Sequence, residues 1–323
     1  MSETAATCWV LSEGHAGMEN QCRGLAEAAG FRPEVKRIRP RAPWTWLPPG
    51  WWPAPFRALG EASDSLQPPW PDLLITCGRR SVPYAMAIRR RSAGKTFTVH
   101  IQDPHVAPSR FDLLAPPRHD GLEGENIYPT TGALHRVTAE RLAEEAETWA
   151  PKVAHLSRPY VTVLIGGSNG SYRIDADEID DWCRRLAAIA VREGASLLVT
   201  PSRRTGDDNV VRLIAGLADV PAQVWDLQGE NPYFGYLGLA DHVVVSPDSI
   251  SMVSEACATG KPVHVLPLAG GTRKFQAFHR NMREAGYTRL LGEGLESWTY
   301  PPLDDTADVA REIVRRLRMR SPS

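Results

Sequence analysis

No sign of charge dominates this chain: 37 Lys and Arg stand against 38 Asp and Glu, a formal net charge of -1. That balance argues against nucleic acid, or any other polyanion, as the main partner. No apolar run approaches the roughly 18 residues that a membrane-crossing helix needs. Residues 1–14 carry neither a basic leader nor a long apolar core, so no secretion route is expected. Cys8, Cys22, Cys77, Cys183 and Cys257 are odd in number and scattered, with no C-x-x-C pair. A disulfide framework or a zinc site therefore finds no support, and a reducing cytoplasm is the expected setting.

What the chain does have is length for two cores, since 323 residues exceed what one compact domain usually holds. Short apolar runs alternate with helical periodicity almost throughout, which is how βαβ units around a parallel sheet read. The fold class that follows is α/β, with two Rossmann-like doubly wound domains facing a cleft. Strands are expected at 7–12, 72–77, 96–102 and 111–115 in the first half, and at 160–165, 196–200, 222–225, 242–246 and 263–267 in the second. Helices are expected at 20–29 and 82–91, then at 176–192, 208–218, 252–259 and 274–285. A charged helix from Thr138 stops before Pro159, which puts the boundary there: 1–157 on the acceptor side and 158–303 for the nucleotide-sugar. A last amphipathic helix in 304–323 is free to pack back on the first domain.

One segment departs from this rhythm. Residues 40–56 hold Trp44, Trp46, Trp51 and Trp52 among six prolines, a composition that suits neither helix nor strand, so a loop is expected. Tryptophan favours places with one apolar and one wet side. The loop could thus rest on the inner face of a membrane, grip a lipid-linked acceptor, or pack on its own domain.

Two local patterns carry chemistry. Ile165-Gly166-Gly167-Ser168-Asn169-Gly170 leaves an apolar strand and precedes a helix, so phosphate could approach its backbone N–H groups closely. It is neither a Walker loop nor a G-x-G-x-x-G fingerprint, and a tight turn needing glycine at positive φ reads equally well. The second pattern is Pro247-Asp248-Ser249-Ile250-Ser251-Met252-Val253-Ser254-Glu255-Ala256, with Gly260-Lys261-Pro262-Val263 after it. Ser249, Ser251 and Ser254 could cap a helix or bind phosphate, and Glu255 could accept both ribose hydroxyls. The plainer alternative is an N-cap followed by a first-turn acid.

In this order, and with Lys274, Gln276 and Asn281 further on, these residues resemble the donor half of GT-B glycosyltransferases, the lipid-linked peptidoglycan N-acetylglucosaminyltransferase among them. More of the chain, from 11–21 through Asp103-Pro104-His105 to Gln276, resembles the mitochondrial fission (elongated-mitochondria) family. The first likeness implies a metal-independent transferase for hexosyl or N-acetylhexosaminyl groups. It implies a nucleotide-sugar substrate, UDP-linked among the options, with no cofactor and no metal. The second implies a catalytically silent scaffold with a protein partner at a membrane surface. A nucleotide-sugar epimerase stays open beside both.

By the GT-B likeness, Gly166, Gly167, Ser168 and Asn169 would meet diphosphate, Glu255 the ribose and Gln276 the sugar. Arg203, Arg204 and Lys274 would neutralise the leaving group. On the acceptor side His15 is the first candidate for a general base and Asp103 the second, with His105 beside it. His100, Asp103 and His105 together lack a strong zinc spacing.

Overall fold

The computed structural model describes residues 6–320; positions 1–5 and 321–323 of the segments read above lie outside the described residues. The chain divides into two compact units, one running to Arg136 and resuming at Asp304, the other Val137–Leu303.

In the first unit a parallel sheet runs in the order β2-β1-β3-β4-β5. Its strands are β1 (Cys8–Ser12), β2 (Pro33–Arg37), β3 (Leu73–Cys77), β4 (Phe97–Ile101) and β5 (Leu113–Ala115). Alternation along β1 serves both faces. Cys8 and Val10 join the core under α1 (Ala16–Ala28), while Trp9 and Leu11 join the opposite core with α2 (Val82–Arg91). Burial on two sides is why these strands read as near-continuous apolar runs. β2 was not expected from the sequence: its Pro-Glu-Val-Lys-Arg is polar because it is an edge strand, with one neighbour only.

The second unit opens with α3 (Ala139–Val153) and holds a six-stranded parallel sheet ordered β11-β10-β9-β6-β7-β8. Its strands are β6 (Tyr160–Ile165), β7 (Ser196–Pro201), β8 (Ala222–Val224), β9 (His242–Val245), β10 (Val263–Val265) and β11 (Thr288–Leu290). Val161, Val163 and Ile165 of β6 pack under α4 (Ala176–Glu193), around the fully buried Trp182. Leu164, on the other face, meets α7 (Ile250–Cys257) and α8 (Arg273–Glu284), and α5 (Asp207–Gly216) follows β7.

The expected boundary near 157 falls inside this second unit, because α3 packs on α6 (Tyr233–Leu239). The approach is close enough that a Cβ on Gly235 would lie 2.2 Å from Trp149 Cδ1, so only glycine fits there. α6 is only seven residues long and apolar nearly all round, which is why no helical period can be read in it.

The last helix, α9 (Asp305–Arg320), belongs to the first unit. Val309, Ala310 and Ile313 enter the core beside α1. The Asp305 carboxylate accepts the backbone N–H groups of Thr131 (3.0 Å) and Gly132 (2.7 Å), which fixes where the returning chain attaches. No helix among the described residues is long and apolar enough to cross a membrane.

Candidate functional site

A doubly wound sheet binds ligands outside its strand C-termini, where the strand order reverses. In the second unit that reversal lies between β6 and β9, which pair in parallel with Val161 beside His242 and Leu164 beside Val245. The loop after β6 carries Gly166 to Gly170, and the turn after β9 carries Ser246 to Ser249. The two predicted motifs are thus neighbours on one edge of one sheet.

A buried carboxylate joins them. The Asp248 side chain is shielded from solvent and accepts the N–H of Gly167 (2.9 Å), the hydroxyl of Ser246 (2.6 Å) and Nη2 of Arg204 (3.1 Å). The other arm of Arg204, Nη1, donates to the Gly167 carbonyl at 3.0 Å. Ser246 Oγ accepts the Gly166 N–H (2.8 Å), and Asn169 Nδ2 donates to the Asp248 carbonyl (3.1 Å). Thr205, from the loop after β7, donates its hydroxyl to the Gly166 carbonyl. Three loops therefore share one hydrogen-bonded knot.

The knot explains the glycines differently from the expectation of positive φ. Neither Gly166 nor Gly167 has a positive φ. A Cβ on Gly166 would sit 2.2 Å from Asp248 Oδ2, and one on Gly167 would sit 2.0 Å from the Arg204 carbonyl oxygen. Close approach of the neighbouring loops is what excludes a side chain.

The remaining predicted donor residues fall into two groups. Some close on themselves. The Ser168 hydroxyl accepts from Ile174 N–H (2.9 Å) and donates to its carbonyl (3.1 Å), and Asn169 Oδ1 accepts from Ser171 (2.7 Å) and Tyr172 (3.0 Å). Ser254 is buried and donates to the Ile250 carbonyl (2.8 Å), so it faces its own helix rather than a ligand. Others border the rim. Ser249 is the N-cap of α7, accepting the Met252 N–H at 3.3 Å, and Ser251 is half-buried in the same first turn. Arg203, Lys274 and Gln276 are exposed, and Gln276 Nε2 donates to the Gly271 carbonyl at 3.2 Å. The start of α8 adjoins the glycine loop, since Gly271 N–H donates to the Ser171 carbonyl (2.9 Å) and Phe275 meets Tyr172 edge to face at 5.1 Å.

Glu255 lies in the second turn of α7, deeper than a first-turn acid would. It is buried, and the Tyr233 hydroxyl donates to its Oε2 at 2.5 Å. Burial pushes the Glu255 carboxyl up to about 7, against the opposing pull of that hydrogen bond. The Tyr233 hydroxyl is in turn held well above its usual range, by burial first and by the Glu255 charge second.

Asp248 lay within the second motif without a role of its own, and Ser246, Thr205 and Tyr233 were not singled out by sequence. For Asp248 one signal existed: an acid placed directly after the apolar run of β9, where a strand end leads into the switch. His279 adds a further tie, its Nε2 lying 2.8 Å from the Pro247 carbonyl.

In the first unit the reversal lies between β1 and β3. His15 is exposed at the N-cap position of α1, where its side chain makes no capping hydrogen bond. Glu13, beside it, accepts the Arg80 N–H (3.1 Å) from the loop after β3. Asp103 accepts the His105 N–H at 2.7 Å, and His105 Nδ1 lies 3.1 Å from its other oxygen. His100 is a core residue instead: its Nδ1 is 2.8 Å from Thr76 Oγ1, its ring lies against Phe111, and burial pushes it down to about 3. Among the described residues no cluster of three or more His, Cys, Asp or Glu is arranged to hold a metal ion.

Solved structures of similar fold include the UDP-GlcNAc 2-epimerase of Methanocaldococcus jannaschii, at a TM-score of 0.57 and 12% identity, covering 97% of this chain and 99% of that one. The UDP-GlcNAc 2-epimerase of Neisseria meningitidis, bound to UDP-GlcNAc, matches at 0.56 and 11%, with the same coverage. The fold is GT-B-like, built of two Rossmann-like units. In sequence, the mitochondrial fission protein ELM1 of Arabidopsis thaliana is 35% identical over an alignment of 277 residues that covers 77% of this chain and 65% of that protein. This chain thus spans a little under two thirds of that relative. The uncharacterized protein RP120 of Rickettsia prowazekii (strain Madrid E) is 26% identical over 285 residues, covering 76% of this chain and 79% of that one. The model of the family described as mitochondrial fission ELM1 matches residues 16–317, and the chain belongs to that family.

Proposed function

We propose that the second unit binds the diphosphate and ribose of a nucleotide-sugar, UDP-linked, at the switch between β6 and β9, and that the chain is a metal-independent glycosyltransferase. One observation carries the reading: the glycine loop, the Arg204 guanidinium and the start of α7 meet at the same strand ends. Helix N-termini and cations together favour a diphosphate, and charge on the leaving group would be stabilised by Arg204 and Lys274. Glu255 reaches the ribose through its second oxygen, with Tyr233 fixing the first. A neighbour of the same fold was solved with UDP-GlcNAc, which supports this class of ligand. His15 is the candidate base for the acceptor hydroxyl, being exposed and uncommitted at the switch of its own sheet, with Asp103 as the alternative.

A second reading is favoured by the knot itself. The Gly167 amide, both arms of Asn169 and Arg204 already have internal partners, which suits a fission-family scaffold that keeps the fold without turnover. Calorimetric titration of the chain with UDP and UDP-GlcNAc tests binding, and product analysis with and without an acceptor tests chemistry. The transferase reading expects binding that Arg204→Ala weakens roughly tenfold. No binding to any of a panel of nucleotide-sugars overturns it. Binding without products under all acceptors establishes the scaffold, and a changed sugar without acceptor establishes an epimerase.

A further inference from the structure

The tryptophan segment of the first unit is absorbed by none of this chemistry. It is the loop expected from sequence, and it is organised as three successive 3-10 turns, Trp44–Trp46, Pro49–Trp51 and Pro55–Ala58. Its neck is closed by a bridge between Pro40 and Leu59, with Arg41 N–H on the Ala58 carbonyl at 2.9 Å. Two of its rings anchor it. Trp52 is buried with its ring edge to face with Tyr84 at 5.8 Å, and Phe56 lies 5.8 Å from Trp70.

Trp44 also packs on the core, but Trp46 and Trp51 point away from this anchor. Trp46 is 76% exposed and Trp51 75%, each at the end of a turn whose backbone is pinned, by Trp46 N–H on Pro43 and Trp51 N–H on Pro48 at 3.0 Å. Exposing two indoles on a proline-stiffened platform costs solvation and gains nothing within the unit. The charge around them has one sign. From Val35 to Gly60 there is no Asp or Glu, while Arg39, Arg41 and Arg57 are all exposed. Arg79 joins them from the loop after β3, its Nη2 on the Leu47 carbonyl at 3.3 Å. Arg41 lies over the Trp44 ring and bonds the Arg57 carbonyl at 3.1 Å. Arg41 and Arg79 are held by carbonyls and a ring rather than by carboxylates, in a chain whose net charge is only -1.

From this we infer that the 40–59 platform is a docking surface for an anionic phospholipid membrane, with Trp46 and Trp51 entering the headgroup boundary and Arg41, Arg57 and Arg79 facing the lipid phosphates. Indoles favour that boundary and arginines add attraction to acidic lipids. Neither nucleotide binding nor turnover enters the inference, so it stands or falls apart from them.

The test is flotation of the full chain with phosphatidylcholine vesicles, with and without about 30% phosphatidylserine, at low and high salt. Binding is expected to the acidic vesicles at low salt. Trp46→Ser with Trp51→Ser should lower partitioning by roughly tenfold per indole, and Arg41→Gln, Arg57→Gln and Arg79→Gln together by about fivefold per charge. Val191→Ser, which removes an apolar side chain 73% exposed in the second unit, should change nothing. All these positions are exposed, and unchanged melting confirms that each variant folds. Absence of binding to acidic vesicles, or binding that both sets of variants leave intact, overturns the inference. So does a loss that reflects only a change of oligomeric state in lipid-free solution.

Discussion

The two sheets tie their switch points in the same way and to different depths. In the first unit Glu13, on the loop after β1, reaches across to the backbone N–H of Arg80, after β3. In the second, Asp248, after β9, reaches back to the backbone N–H of Gly167, after β6. Glu13 has little else, its second oxygen standing 3.7 Å from an Arg80 guanidinium that is half exposed. Asp248 gathers a backbone amide, a hydroxyl and a guanidinium, and its own carbonyl holds Asn169. A carboxylate bridge of this kind is a hinge when it makes one bond and a rivet when it makes three. The second rim is thus preorganised, which suits holding a defined ligand, and the first is left adjustable.

Removing the rivet should have the largest effect. Asp248→Ala leaves the Gly167 amide, the Ser246 hydroxyl and the Arg204 guanidinium without their buried acceptor, and a loss of about 3–5 kcal/mol is expected in urea unfolding. Asp248→Asn keeps one oxygen for Gly167 and should lose less. Hydrogen exchange at the Gly167 amide reports the same change locally. If Asp248→Ala costs no more than the matching change at Glu13, the two rims are equivalent and the contrast fails.

How much of this the sequence reveals follows from where each signal lives. Strands β1, β3, β4, β6, β7 and β9 are buried along nearly their whole length and mostly apolar, so their runs identify them within a residue or two. β2 and β11 are edge strands with few buried side chains, and a polar edge has no run to read. The glycine pair and the Ser249 to Glu255 helix start were legible as motifs because paired glycines after an apolar run and serines at a helix start each have a physical cause. The role of Asp248 was not. Its importance comes from three partners that lie 2, 44 and 81 residues away in sequence, and only the pairing of β6 with both β7 and β9 brings them together. Glu255 shows the same limit: its position suggested an open ribose acceptor, but α6 supplies Tyr233 to cover one oxygen.

The burial of Glu255 gives the next effect. Its carboxyl titrates near about 7 in the folded chain against an ordinary 4.5, so between those values the folded state holds the extra proton. The stability this contributes is complete below the unfolded value and is lost as pH rises through the folded one. Glu255→Gln, which cannot ionise, should therefore gain on the native chain across that window, by on the order of 1–3 kcal/mol between its two ends. Chemical unfolding at a series of pH values reads this directly. A difference between the two proteins that does not change with pH would show that Glu255 is already ionised and solvated, and so more open to a ribose than its burial implies.

The smallest effect is expected at the hinge. Glu13→Ala removes one acceptor from the Arg80 amide and a long contact to a half-exposed guanidinium, for about 1 kcal/mol. Because the guanidinium remains solvated, little of the 3–5 kcal/mol expected at Asp248 should reappear. Faster exchange at the Arg80 amide, with protection at Gly167 unchanged, would show that each carboxylate secures its own rim. A loss as large as that at Asp248 would make Glu13 a rivet too, and the first rim would then have to be treated as a fixed site rather than an adjustable one.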